Sequence, residues 1–162
     1  MNLKLTEQQF LDILDENQNI IHKVCSMYTR CSEDHNDLFQ EIMLQLWKGY
    51  TRFKGDAKIT TWMYRVSLYT AISIYKKKKF RQEVQDTVLH VKNESEEHDP
   101  YQYENLNLAI ESLSKTNKAL IILYLDEKSY KEIAEIMEIS ESNVGVKINR
   151  IKKQLKDILN QL

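Results

Sequence analysis

The sequence predicts an all-α protein made of two small helical domains joined by a flexible acidic linker. Three observations carry that prediction. Its 162 residues include three glycines and one proline against abundant Leu, Ile, Glu and Lys, so little in the chain opposes helix. Apolar residues recur at helical spacing in two blocks, 5–80 and 105–160,. Between them, 81–104 loses the periodicity and holds the lone proline, Pro100; past Arg81, Glu83, Asp86, Glu94, Glu96, Glu97, Asp99 and Glu104 face only Lys92,. Domains this small bury little core and are marginal alone, so partner contacts are expected to add stability.

In order along the chain, Thr6 opens the first helix with Gln9 at the capping-box position,. Phe10, Ile13, Leu14, Ile20, Ile21 and Val24 form its apolar side. A polar break follows at Arg30–Glu33, with Ser32 as the expected N-cap and Glu33 and Asp34 in the next first turn,. Leu38, Ile42 and Leu46 then recur at i, i+4 and i+8, joined by Phe39 and Trp47. Gly49 to Lys58 reads as a loop, and Thr60 or Thr61 as the cap of a helix from Trp62 to about Lys79,. After the linker, Leu106–Leu113 resumes a helix and Ala119–Leu125 is a dense apolar run.

Ser129–Lys153 is the most informative stretch. Ser129 and Glu132 form a capping box, with Ile133, Ala134 and Met137 on the face to be buried,. Glu138-Ile139-Ser140 interrupts the helix, and Ser140 caps a second one with Glu141 at its positive end,. Val144, Ile148, Ile151 and Leu155 make one apolar stripe; Asn143, Lys147, Asn149, Arg150 and Lys153 lie opposite,. Two short helices, the second with an apolar back and a basic, amide-bearing front, predict a helix-turn-helix that binds DNA. A helical hairpin without DNA is the bland alternative.

The net charge of −1 hides its distribution. Lys76–Lys79 with Arg81 form one basic block, and Lys147, Arg150, Lys152, Lys153 and Lys156 another,. Upstream of the first block, aromatic and basic residues interleave: Trp62, Tyr64, Arg65, Tyr69, Tyr75 and Phe80. Such a helix suits stacking on unpaired bases, although spacing alone fits a core helix, with Trp62, Val66 and Tyr69 buried and the lysines a solvated tail, as well.

Two segments together resemble a known family. SEDHNDLFQEIMLQLW at Ser32–Trp47, followed by Phe53, Gly55, Thr60-Thr61-Trp62 and Tyr64-Arg65, resembles region 2 of bacterial sigma factors, specifically the extracytoplasmic-function (ECF) group. SYKEIAEIMEIS and NVGVKINRIKKQL are similar to their region 4. The matches cover most of the chain in the family's order. The resemblance implies a sigma region 2 domain over 5–80, a linker over 81–104 and a sigma region 4 domain over 105–160. It implies that Asp37, Leu38, Gln40, Glu41 and Trp47 dock on the β′ clamp helices of core RNA polymerase, with the second domain on the β flap. Lys54, Gly55 and Asp56, in a loop that receives a flipped base, together with Arg65, Tyr69, Lys76 and Lys77, would meet the minus-10 element of promoter DNA. Ser142, Asn143, Lys147, Arg150 and Lys153 would read the minus-35 element, with Lys152 as a further phosphate contact. An anti-sigma factor is the expected regulatory partner.

The chain departs from the family pattern at Leu68, Tyr69 and Ser73, where an Arg-Asn pair and an Asp are usual, so no minus-10 sequence follows. Glu138 replaces a common turn glycine and carries strain if its φ is positive. Gly145 stands where lysine is frequent, which suggests close approach of the DNA backbone.

Other chemistry finds little support. His22, Cys25, Cys31 and His35 lack the paired ligand spacing of a zinc site,. No phosphate loop, nucleophile elbow or metalloprotease motif occurs, so neither an enzyme, a cofactor nor a small-molecule substrate is expected. No apolar run nears the roughly 20 residues of a membrane span, and MNLKLTEQQF lacks a signal layout,. Cytoplasmic location without membrane insertion follows, and with it free thiols. The rival readings are a dimeric DNA-binding regulator with a helical sensor domain, and a helical protein-binding adaptor.

Overall fold

The computed structural model describes residues 4–82 and 100–162, with side chains described over 4–75 and 104–162. The linker prediction falls largely on 83–99, outside the described residues. The chain divides into two compact units, Met1–Leu89 and His90–Leu162, and all regular structure among the described residues is helical.

In the first unit, helix α1 (Glu7–Glu16) begins as its capping box predicts: Gln9 N–H donates to Thr6 Oγ1 at 3.3 Å, and Thr6 N–H to Gln9 Oε1 at 3.0 Å. The apolar stripe read as one helix is two. Asn17, at φ −122° and ψ 19°, ends α1 and starts α2 (Gln18–Tyr28). Its side-chain amide donates to the Ile13 carbonyl at 2.8 Å, the competition with backbone bonding that makes asparagine a helix terminator.

Helix α3 (Ser32–Gly49) is capped one residue earlier than expected. Cys31, extended at φ −128° and ψ 160°, accepts the Asp34 N–H on Sγ at 3.5 Å, while Ser32 is already helical. A 3-10 turn (Tyr50–Arg52) follows, so only 53–58 is loop. Helix α4 (Ile59–Gln82) starts ahead of Thr60 and Thr61, and neither caps it. It also runs past Lys79.

α2 packs on α3 and α4, and α3 packs on α4, around Ile21, Val24, Leu38, Ile42, Leu46, Met63 and Leu68. One edge is closed by aromatic rings: Phe10 stacks on Tyr50 with centroids 4.5 Å apart, and Trp47, Phe53 and Trp62 surround them. Gly49 belongs to this cluster rather than to a flexible loop. A Cβ there would lie 3.0 Å from Trp62 Cζ2, so α3 ends in glycine to let the indole in.

In the second unit, α5 (Pro100–Glu111) starts well before Leu106, with proline at the first helical position, where it loses no bond. Ser114 caps α6 (Lys115–Leu125), Ser129 caps α7 (Tyr130–Met137) and Ser140 caps α8 (Glu141–Leu159). α5, α6 and α7 all pack on α8, whose Val144, Ile148, Ile151 and Leu155 are buried as the stripe predicts. From α7, Ile136 is buried with Ile133 and Met137, and Ala134 is only half-buried. A buried lysine, Lys118, donates to Glu111 Oε1 at 2.6 Å.

Two turns in this unit are closed by left-handed glutamates, Glu127 at φ 59° and Glu138 at φ 55°. The second is the helix-turn-helix turn, where Ile139 N–H reaches back to the Ala134 carbonyl at 3.2 Å. A non-glycine residue there costs about 1–2 kcal/mol. Glu138→Gly relieves that cost and loses roughly half of it to a freer unfolded chain. Thermal melts should show a net gain of about 1 kcal/mol, and an unchanged midpoint would contradict the strain.

Candidate nucleic-acid interface

Helix α8 separates its two faces sharply. Ser140 Oγ accepts the Asn143 N–H at 3.2 Å, which sets the first turn. With the apolar stripe fully packed, Ser142, Asn143, Asn149, Arg150 and Lys153 are left exposed together on the opposite side, and Lys147 is half-buried at its flank. This is the set the sequence singled out, brought onto one surface. Lys152 departs from it. Its ammonium donates to Tyr124 Oη at 2.6 Å and lies 4.1 Å from that ring's centroid, on the flank facing α6. The Tyr124 hydrogen bond raises the Lys152 pKa above its ordinary value, with smaller Coulombic help from Tyr124 and Tyr130.

Gly145, beside this face, lies against helix α7. A Cβ there would sit 3.4 Å from Tyr130 Cε2, an ordinary van der Waals contact, so packing within the unit does not by itself require glycine.

In the first unit, α3 presents Asp37, Gln40 and Trp47 to solvent with Glu41 half-buried. Leu38, expected on this surface, is 3 % exposed and belongs to the core. Leu44 takes its place: it is 43 % exposed and lies one to two turns from Asp37, Glu41 and Trp47,. The sequence reading missed it, although its i+7 spacing from Asp37 was visible. Trp47 is 40 % exposed and anchored from behind by Tyr50 at 5.3 Å between centroids.

Lys54, Gly55 and Asp56 are exposed in the loop before α4; Gly55 adopts φ 78°, a value that suits glycine,. On α4 the buried side is Met63, Tyr64, Ser67, Leu68, Ala71 and Ile72. Tyr64 is therefore core, whereas Tyr69 is exposed and Arg65 half-exposed. Lys76 and Lys77 lie further along α4, and their side chains are outside those described.

The histidine–cysteine quartet forms no such cluster. His22 Nδ1 and His35 Nε2 are hydrogen-bonded at 3.0 Å, their rings stack, and Phe39 covers His22 with centroids at 4.6 Å. Cys31 serves as a cap, and burial pushes the Cys25 thiol up to about 11. No group of three or more potential metal ligands occurs among the described residues.

Burial, and then the neighbouring His22, lower the His35 pKa below its ordinary 6.5. Protonation is thus easier in the unfolded chain. Stability is complete above pH 6.5 and falls as pH drops through the lowered folded-state value,. Melts at pH 5 should show a lower midpoint than at pH 7, and His35→Gln should shrink the difference. Equal pH dependence in both proteins would clear the pair.

Comparison with known proteins bears on both surfaces. The sigma-70 region 2 family model matches residues 13–81, and the sigma-70 region 4 model matches 103–155. The ECF RNA polymerase sigma-E factor of Escherichia coli (strain K12) is 30% identical over 152 residues, covering 83% of this chain and 79% of that protein. The chain belongs to the ECF sigma factors. The ECF sigma factor SigW of Bacillus subtilis (strain 168) is 26% identical over 175 residues, covering 94% of this chain and 91% of its own. The fold of this sigma factor is that of RpoE from Bartonella quintana, solved in complex with the anti-sigma factor NepR, at TM-score 0.73 and 15% identity over 94% of this chain and 98% of that one. CnrH, solved with the cytosolic domain of CnrY, is similar at TM-score 0.67 and 15% identity, covering 96% and 90%. The region 2 match runs from within α1 to the end of α4, and the region 4 match from within α5 to within α8.

Proposed function

We propose that this ECF sigma factor binds core RNA polymerase and directs initiation at promoters whose minus-35 element is read by α8. The exposed α8 face carries the reading. Asn143 and Arg150 have the side-chain types that bond base edges in the major groove, and Lys147 and Lys153 suit phosphates. A capped, fully backed helix holds them in fixed register, which a base-reading surface needs. Ser142 joins from the first turn.

In the same reading, core polymerase docks on Asp37, Gln40, Glu41, Leu44 and Trp47, with Leu38 supporting that face from beneath. Carboxylates around a half-exposed indole and an exposed leucine complement basic, partly apolar clamp helices. Lys54, Gly55 and Asp56 receive a flipped minus-10 base, Arg65 and Tyr69 face it, and Lys76 and Lys77 supply charge for phosphates. The second unit also touches the β flap. The domains then follow the sequence reading, region 2 over 5–80 and region 4 over 105–160.

The chain supplies no catalytic step. Each unit offers few cations to DNA, so binding by the free protein is weak; held on polymerase, the two contacts add through high effective concentration. Action with polymerase places the protein in the cytoplasm, and no helix among the described residues is long and apolar enough to cross a membrane. Because similar sigma factors were solved with NepR and CnrY, an anti-sigma partner is part of the proposal.

The test is incubation of the full chain with core polymerase and a promoter library. Specific initiation from a subset of sequences is expected. No association with polymerase, together with tight palindromic operator binding by the chain alone, would replace this reading with a dimeric regulator.

A further inference from the structure

Val146 is 49 % exposed, and its position makes that unusual. A lone apolar residue at the surface normally needs no explanation. Here the neighbours one turn away are Ser142, Asn143, Asn149 and Arg150, with Lys153 two turns on, and all five are exposed,. The buried stripe of Val144, Ile148, Ile151 and Leu155 lies on the other side of the helix. Val146 is therefore not spill-over from the core. Leu125 and Leu159, exposed in the same unit, flank a groove against Leu106 and Leu155, and Val146 has no part in it. A β-branched residue is also a weaker choice for an exposed helix position than the straight-chain residues around it.

An apolar knob ringed by amide, hydroxyl and guanidinium groups has a specific complement in duplex DNA. Along the major groove the base edges present donors and acceptors, and the one apolar group among them is the C5-methyl of thymine. We propose that Val146 packs against a thymine methyl in the minus-35 element and so specifies thymine at one position. Asn143 and Arg150 then read the adjoining bases by hydrogen bonding. The assignment rests on the reading of α8 as the minus-35 helix.

Burying one methyl group changes affinity about fourfold, and that is the signal to seek. Holoenzyme made from the full chain is used to select its preferred minus-35 element from a random pool. Each thymine is then replaced in turn by deoxyuridine, which lacks only the methyl. At one position the swap should weaken wild-type holoenzyme about fourfold. Val146→Ala holoenzyme should bind the thymine site more weakly and be indifferent to the swap there, with discrimination at other positions kept. Alanine favours helix more than valine, so loss of fold does not cloud the result, and far-ultraviolet circular dichroism checks it.

The valine assignment fails if the selected element contains no methyl-sensitive thymine, or if Val146→Ala keeps the full methyl dependence. In either case α8 still reads the minus-35 element provided that Asn143→Ala relaxes selection at a base. If wild-type holoenzyme selects no minus-35 element at all, the reading of α8 fails and the valine assignment with it.

Discussion

Glu111→Ala is expected to destabilise the second unit by about 3 kcal/mol. Lys118 is 3 % exposed and its ammonium meets Glu111 at 2.6 Å. Removing one partner of a buried pair typically costs about 3–5 kcal/mol, because the other charge stays buried with fewer partners. The low end applies here, since the Glu111 side chain is 35 % exposed and water tempers the loss. A domain of this size is worth only several kcal/mol in total, so the variant should be largely unfolded at moderate urea. Lys118→Met keeps the aliphatic stem and removes the charge, and should be near neutral. Urea midpoints of the two variants separate the cases. Equal losses would mean that the bond between the two charges, and not the cost of leaving the lysine charge buried, sets the effect.

Arg150→Ala should cost the holoenzyme about 1–3 kcal/mol of discrimination at one minus-35 base pair, roughly 5- to 150-fold. Its guanidinium is exposed on the α8 face away from the buried stripe, so truncation leaves the core untouched and the fold intact. Asn143→Ala should relax a different position. Lys153→Ala, by contrast, should weaken all sequences alike and reduce the salt slope by about 1. Binding titrations of holoenzyme on a set of single-base minus-35 variants at several salt concentrations read all three. If Arg150→Ala and Lys153→Ala weaken every sequence equally, the division into base-reading and phosphate-holding residues is wrong.

The two units differ in how much of them was legible. In the helix-turn-helix nearly everything was: both serine caps, the capping-box Glu132, the four-residue stripe of α8 and the exposed polar face all stand where the spacing put them. The suspicion about Glu138 also held, since its φ is 55°. Helix α7 and the turn are short and governed by neighbours within four residues, which sequence displays directly. The first unit was read less well where distant contacts decide. Trp62, Val66 and Tyr69 looked like the core face of α4, but Met63, Tyr64, Leu68 and Ile72 are the buried residues. α4 is flanked by both α2 and α3, so its apolar side is broad and its periodicity blurred.

Capping shows the same division on a smaller scale. Ser32 is a better capping residue than Cys31 by type, yet Cys31 takes the role because the chain is still extended there. By residue type Gly49 suggests flexibility. It instead faces an aromatic ring from elsewhere in the fold, Trp62, which a Cβ would meet at 3.0 Å.

The sequence by itself determined the all-α class, the helix-turn-helix with its caps and polar face, and membership of the ECF sigma factors. Those rest on interactions within a turn or two of helix and on motifs that need no partner to be read. Only the tertiary structure decided which members of each face are available. It buried Leu38 and exposed Leu44, folded Lys152 back onto Tyr124, sank Lys118 beside Glu111, and left Val146 in the middle of the polar surface. Exposure is a property of the helices packed alongside. A residue's own neighbours in sequence say which side of its helix it occupies, and the helices brought up from elsewhere decide whether that side meets water.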